Sequence, residues 1–276
     1  MSKIAYQNIT VTMPRTDVGG KVYIAPASNV TISHSAKLNR GQSLAANSLP
    51  QMRLAGAFET KLTINFPICN KLLDGDSFNF GSGVLRDMTG TTSKDIQIGG
   101  RVFSGCYLDQ CSISLAPFQA ATMSANFTCT NPPTGLTFIS GQEAPSSDLS
   151  DSFAYGHFAQ IDGASNFSAP IHSSMSYSLD FRRAYSYALG SKLPTSVFLD
   201  EVNKKLSMQS TNINNFINES GAFSTIAVNL YNQSGALVLP LNTISVSNNA
   251  RLNAQNLNAE AGTILKADLT IDESIL

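Results

Sequence analysis

A mainly β chain, made of two tandem homologous β-sandwich or barrel domains with short flanking helices, is predicted by three observations. Residues Phe58 to Phe66 alternate apolar with polar and are rich in β-branched and aromatic types, the pattern of a strand with one wet face. The stretch returns later in the chain. Leu49-Pro50 followed by Leu54 to Phe66 reappears as Leu193-Pro194 followed by Phe198 to Ser210, an offset of 194 − 50 = 144. Two further blocks repeat in the same order: Val30 to Ser33 with Met175 to Ser178 (175 − 30 = 145), and Met123 to Cys129 with Leu265 to Ile271 (265 − 123 = 142). Three blocks in register are the expected trace of tandem duplication. Taken alone, Phe198, Val202 and Leu206 also fit the stripe of a helix; the alternation of the first copy decides for strand in both. The predicted domains are residues 1–143, with an N-terminal arm, and 144–276.

Along the chain, Ile9 to Met13 reads as a strand in an arm interrupted by Pro14, Gly19-Gly20 and Pro26. Asn39 to Pro50 and its counterpart Arg183 to Pro194 are long connections rich in small residues that end in a Leu-Pro step, where proline forces its predecessor to be extended. Each predicts a long hairpin or protruding loop. Ile68, Leu72 and Leu73 after Pro67, and Asn212 to Ser220, are candidates for short helices. Arg101 to Leu108 and Cys111 to Leu115 read as strands with a turn at Asp109-Gln110. Asn131 to Gly135 and Gly141 to Ser152, rich in Pro, Gly and Ser, are the linker candidate. Thr225 to Tyr231 and Ala236 to Leu241 read as strands about a turn at Asn232 to Gly235.

Charged residues make up only 13% of the 276, against about 25% in an average soluble domain. A surface of Ser, Asn, Thr, Gln and Gly suits faces covered by neighbouring subunits. Net charge is −1, so no basic field awaits a nucleic-acid backbone. The halves carry 11 − 8 = +3 and 7 − 11 = −4, too small an imbalance to drive association alone. Cys69, Cys106, Cys111 and Cys129 all lie in the first half, which favours free thiols in a reducing cytosol over a secreted disulfide framework. No signal peptide and no membrane-spanning run is expected.

No enzyme, cofactor or metal site is predicted. Gly81-Ser82-Gly83 lacks the strand-to-helix context of a nucleophile elbow, and no phosphate-binding loop or zinc-protease motif is present. Asp74-Gly-Asp76 lacks the remaining ligands of a calcium loop and reads as a turn. His34, His157 and His172 stand apart from nucleophiles in sequence. Tyr185 and Tyr187, beside Arg182-Arg183, offer flat faces to a base or sugar, but such residues more often pack on a partner protein.

With its tandem low-charge β-domains, the small-residue loop Tyr187-Ala-Leu-Gly-Ser-Lys-Leu-Pro194 and strands such as Phe58 to Phe66, the chain resembles the tail tube proteins of bacteriophages, including the related baseplate hub. The resemblance implies a β-sandwich or barrel with a short helix, six domains to a ring, and stacked rings that conduct the genome. It implies self-association, as a trimer with pseudo-sixfold symmetry or a hexamer, contacts with other tail proteins, and DNA passing without sequence-specific binding. The location implied is the virion tail, assembled in the host cytoplasm, with no membrane partner. The residues expected at contacts between domains or rings are Leu44, Pro50, Tyr185, Tyr187, Leu189 and Pro194. The other reading is a tandem β-sandwich binding module, an adhesin or carbohydrate-binding protein, against which stands the absence of any Trp.

Overall fold

The computed structural model describes residues 11–14, 22–25, 27–41, 52–68, 91, 93–99, 101–116, 119–134, 142–143, 155–163, 172–210, 226–231, 244–246, 251–258, 261 and 266–275. Among the described residues there is no helix. β1 (Val11–Pro14) and β2 (Val22–Ala25) come from the arm; β3 (Asn29–Gly41) and β4 (Met52–Pro67) are a long hairpin; β5 (Lys94–Ile98), β6 (Arg101–Leu115) and β7 (Thr122–Cys129) follow. After β8 (Gln142–Glu143) come β9 (Tyr155–Gly163), β10 (His172–Ser186), β11 (Ser196–Ser210), β12 (Ile226–Tyr231), β13 (Ile244–Val246), β14 (Arg251–Asn258) and β15 (Lys266–Ile275).

Eight strands form an antiparallel path in the order β3-β4-β7-β6-β10-β11-β15-β14, which crosses the midpoint of the chain where β6 pairs with β10. One edge of β6 is shared. Cys106 is opposite Cys129 on one side and Lys94 on the other, while Gln110 is opposite Asn126 and Asp180. Thus β5 and β10 lie end to end along the same edge, and β1, β2 and β8 continue from β5 to complete a twelve-stranded sheet. The register shift opposite β5 is made at Gly105, whose φ is +68°; a Cβ there would stand 2.7 Å from Thr130 Oγ1, so both backbone and space call for glycine. Strands β13-β12-β9 form a separate sheet.

Alternation along each strand becomes two unlike faces across the path. One row runs Phe66, Met123, Ile113, Tyr177, Leu206, Ile271, and another runs Leu115, Met175, Met208, Leu269, all buried. Each such side chain contributes about 1.5–3 kcal/mol relative to leaving it exposed. Val11 and Met13 of β1 and Ile96 and Ile98 of β5 belong to the same core cluster. The opposite face is polar, with rows such as Thr63, Asn126, Gln110, Asp180, Asn203, Ser274. There the side chains bond across strands: Thr63 donates to Asn126 Oδ1 (2.7 Å) and Asn126 donates to Gln110 Oε1 (3.0 Å).

The pairing itself repeats. Ile32↔Leu62 corresponds to Tyr177↔Leu206 (177 − 32 = 145; 206 − 62 = 144), and Leu62↔Phe127 to Leu206↔Ile271 (271 − 127 = 144). Phe127↔Leu108 corresponds to Ile271↔Leu252 (252 − 108 = 144). Even the irregularities recur: the shift between Leu108 and Gln110 has its counterpart between Leu252 and Ala254. The shift after Ala36 in β3 matches the one after Arg182 in β10. Side-chain contacts recur as well. Thr63 with Asn126 is matched by Ser207 with Thr270, and Thr128 with Asp109 by Asp272 with Asn253, donor and acceptor exchanged. The unit β3, β4, β7, β6 thus has the pairing order and register of β10, β11, β15, β14.

Several sequence expectations change. The register sets Met123 against Ala267, an offset of 267 − 123 = 144 instead of 142; a slip of two residues keeps every side chain on its face, so alternation cannot detect it. Arg101 to Leu115 is one strand, and Asp109-Gln110 is a bulge within it, not a turn. Cys106 and Cys129, directly opposite on β6 and β7, form a disulfide, whereas free thiols were expected; Cys111 is free and buried. Val202 to Ser210 is strand, as the first copy indicated. The helix candidates beyond Ile68, the Asp74-Gly-Asp76 turn, Gly81-Ser82-Gly83, Cys69 and the strand at Ala236 to Leu241 lie outside the described residues.

Candidate functional site

The β10–β11 hairpin outruns its neighbours. Pairing of β10 with β6 ends at Asp180↔Gln110 and pairing of β11 with β15 ends at Val202↔Ile275, yet the β10–β11 ladder continues through Arg182↔Glu201 to Ser186↔Ser196. Its tip is closed by Thr195 N donating to Ser186 O (2.8 Å) and Ser191 N donating to Ala188 O (3.0 Å). Gly190 takes φ +81° in that turn, and Ser191 Oγ donates to Leu193 O (2.6 Å). Leu189 at the tip is fully exposed, and Tyr187, Leu193, Phe198 and Leu199 are exposed on the same hairpin. The tip thus presents several large apolar side chains to solvent.

Four of the six residues singled out from sequence are therefore gathered on one hairpin: Tyr185, Tyr187, Leu189 and Pro194. Leu44 and Pro50 fall in 42–51, outside the described residues; the β3–β4 ladder extends to Gly41↔Met52.

At the base of the projection lies a cavity of about 430 Å³, lined by Glu59, Asp109, Thr128, Arg183, Tyr185 and Tyr187 among others. The Arg183 side chain is buried and turns back over the point where β10 leaves β6. It pairs with Asp109 Oδ1 (3.2 Å), donates to the Leu108 carbonyl, and stacks over the Tyr107 and Phe181 rings at 5.6 and 5.5 Å. Thr128 donates to the other oxygen of Asp109. Burial raises the Asp109 carboxyl above the usual aspartate range, partly offset by the Thr128 hydrogen bond and the Arg183 charge; burial also lowers Arg183 and raises Tyr185. Tyr185 meets Tyr107 edge to face at 6.1 Å, and its hydroxyl is buried without a hydrogen-bond partner among the described residues.

This arrangement braces a fork in the sheet. Of the two arginines beside the tyrosines, Arg183 pairs with Asp109, while Arg182 lies 3.8 Å from Glu201 with its side chain largely exposed. No group of three metal-ligating side chains occurs among the described residues. His34 Nδ1 lies 2.9 Å from Thr60 Oγ1, with its ring stacked on Phe103 at 6.4 Å. Sequence reading missed the Arg183–Asp109 brace, because 74 residues and a bulge separate the partners. No protein-family model matches the chain, and no curated protein matches it in sequence.

Proposed function

We propose that this chain is a structural protein that assembles with copies of itself into a closed ring, stacked into a tube within a phage tail, and serves as a conduit for the genome. The observation that carries the reading is the repeated four-strand unit. Within the chain, two units are joined through the β6 edge of the first and the β10 edge of the second. Repetition of that joint between chains is a heterologous contact, which closes into a ring when the rotation allows it. The matched register supports a tandem duplication as its origin.

Three chains would contribute 3 × 8 = 24 strands of the main path. At about 4.8 Å between strands and a tilt of about 40°, they close at a backbone diameter of roughly 48 Å, wide enough for a nucleic-acid duplex to pass. The polar face is the one suited to a wet lumen. Charges of both signs stand on it, among them Lys61, Lys205 and Lys266 with Glu59, Asp180 and Asp268. In this reading, which follows the resemblance to tail tube proteins, such a ring belongs to the virion tail and is built in the host cytoplasm with other tail proteins.

In this reading the β10–β11 tip meets a neighbouring domain or ring. Leu189→Asp places a charge in that contact, which costs several kcal/mol when unpaired and desolvated; the exposed position leaves the fold intact. Light scattering should find wild-type assemblies and a dispersed variant with the same circular dichroism. A wild type that remains monomeric at high concentration, with other virion proteins present, would overturn the proposal.

A further inference from the structure

Because two equivalent units are already joined inside the chain, the joint predicts which outer edges meet between chains. In the internal joint Ile113↔Tyr177, Ser112↔Ser178 and Cys111↔Leu179 are opposite one another. Moving β6 forward by 144 residues gives β14, and moving β10 back by 145 gives β3. These two strands end the eight-strand path, each with a strand partner on one side only among the described residues. We propose that β14 of one chain pairs antiparallel with β3 of the next, with Leu257 opposite Ile32 and Asn256 opposite Ser33. The pairing rests on the ring assembly proposed above and specifies its edges and register.

Three features of the two edges support it. Ile32 and Leu257 are 41% and 52% exposed, although their counterparts Tyr177 and Ile113 are fully buried in the internal joint. Ile32 ends a row that continues through buried Leu62 and Phe127, so the missing neighbour lies on the outer side of β3. Second, the stretches that would meet are unguarded, the bulges and the charges Lys37 and Arg251 lying beyond them. Val30 to Ser35 and Ala254 to Asn258 contain no Lys, no Pro and no acidic residue, the devices by which edge strands avoid pairing. Third, the polar-face residues that would meet, Thr31 and Ser33 with Asn258 and Asn256, are uncharged, so no like charges oppose each other. One contact of the internal joint has no equivalent. The positions of Arg183 and Asp109 are taken by Leu38 (183 − 145) and Asn253 (109 + 144), so the joint between chains lacks the brace and is the weaker of the two.

The test uses full-length Ile32→Asp and Leu257→Asp, each checked by circular dichroism, in sedimentation velocity beside wild type. Each variant alone should remain monomeric where wild type assembles, since each keeps only one competent edge. An equimolar mixture should stop at a one-to-one dimer, through Leu257 of the first variant and Ile32 of the second. Variants that assemble as wild type does would overturn this edge assignment while leaving assembly standing. Homodimers of either variant, or a mixture that stays monomeric, would refute the β14-to-β3 polarity. A monomeric wild type would remove the ring reading and the edge assignment together.

Discussion

At the scale of single residues, Lys204 and Glu273 depart most from the pattern of their surroundings. They are opposite each other on β11 and β15, in line with Ile64, Ala125, Cys111 and Leu179 on the apolar face, and both are buried with 3.4 Å between Nζ and Oε2. Their counterparts in the first unit are Thr60 and Cys129 (204 − 144; 273 − 144). A buried pair recovers through mutual attraction part of what desolvation costs, and loses that recovery when one member is removed. Lys204→Met alone should therefore destabilise the fold by about 3–5 kcal/mol, and adding Glu273→Leu should restore most of it. Urea denaturation of the two variants checks this; equal stabilities would mean that the charges do not depend on each other. The sequence concealed this pair. Lys204 and Glu273 occupy apolar phases of alternating strands, so each was legible as an inward position, but not as a partner of the other.

At the scale of strands, alternation was enough to identify β4, β7 and β11 and to reject a helix at Phe198 to Leu206. It was not enough to fix register or length. A two-residue slip preserves faces, and a bulge at Asp109-Gln110 carries the polar residues of a turn while the strand runs on. Pairing of β6 with β7 also brings together Cys106 and Cys129, which spacing alone did not connect. That bridge closes a loop of 129 − 106 = 23 residues. Reduction should lower stability by about 3 kcal/mol through the reopened loop. Denaturant midpoints with and without a strong reductant measure the effect, and coincident curves would contradict it. Protein assembled in a reducing cytosol is expected to hold these two as thiols, with the bridge formed after release.

For the whole molecule, the recurrence of sequence blocks at offsets near 144 was the most informative signal in the sequence, yet its structural consequence was not legible there. Offsets of 144 and 145 predict two like units; they do not reveal that the units share one sheet, because the β6·β10 joint pairs Ile113 with Tyr177 without any mark in either stretch. Projection of the β10–β11 hairpin was foreseeable from the loop ending in Leu193-Pro194; the brace beneath it, formed by Arg183 and Asp109, depended on the fork. Once the joint is known, the exposed Ile32 and Leu257 acquire a common explanation. The central claim is that copies of this joint close into a ring. Electron microscopy of the purified protein tests it most directly. The account predicts rings or stacked tubes in which three chains display six similar lobes around an open centre. Dispersed single particles of one chain's mass, at concentrations well above micromolar, would contradict it.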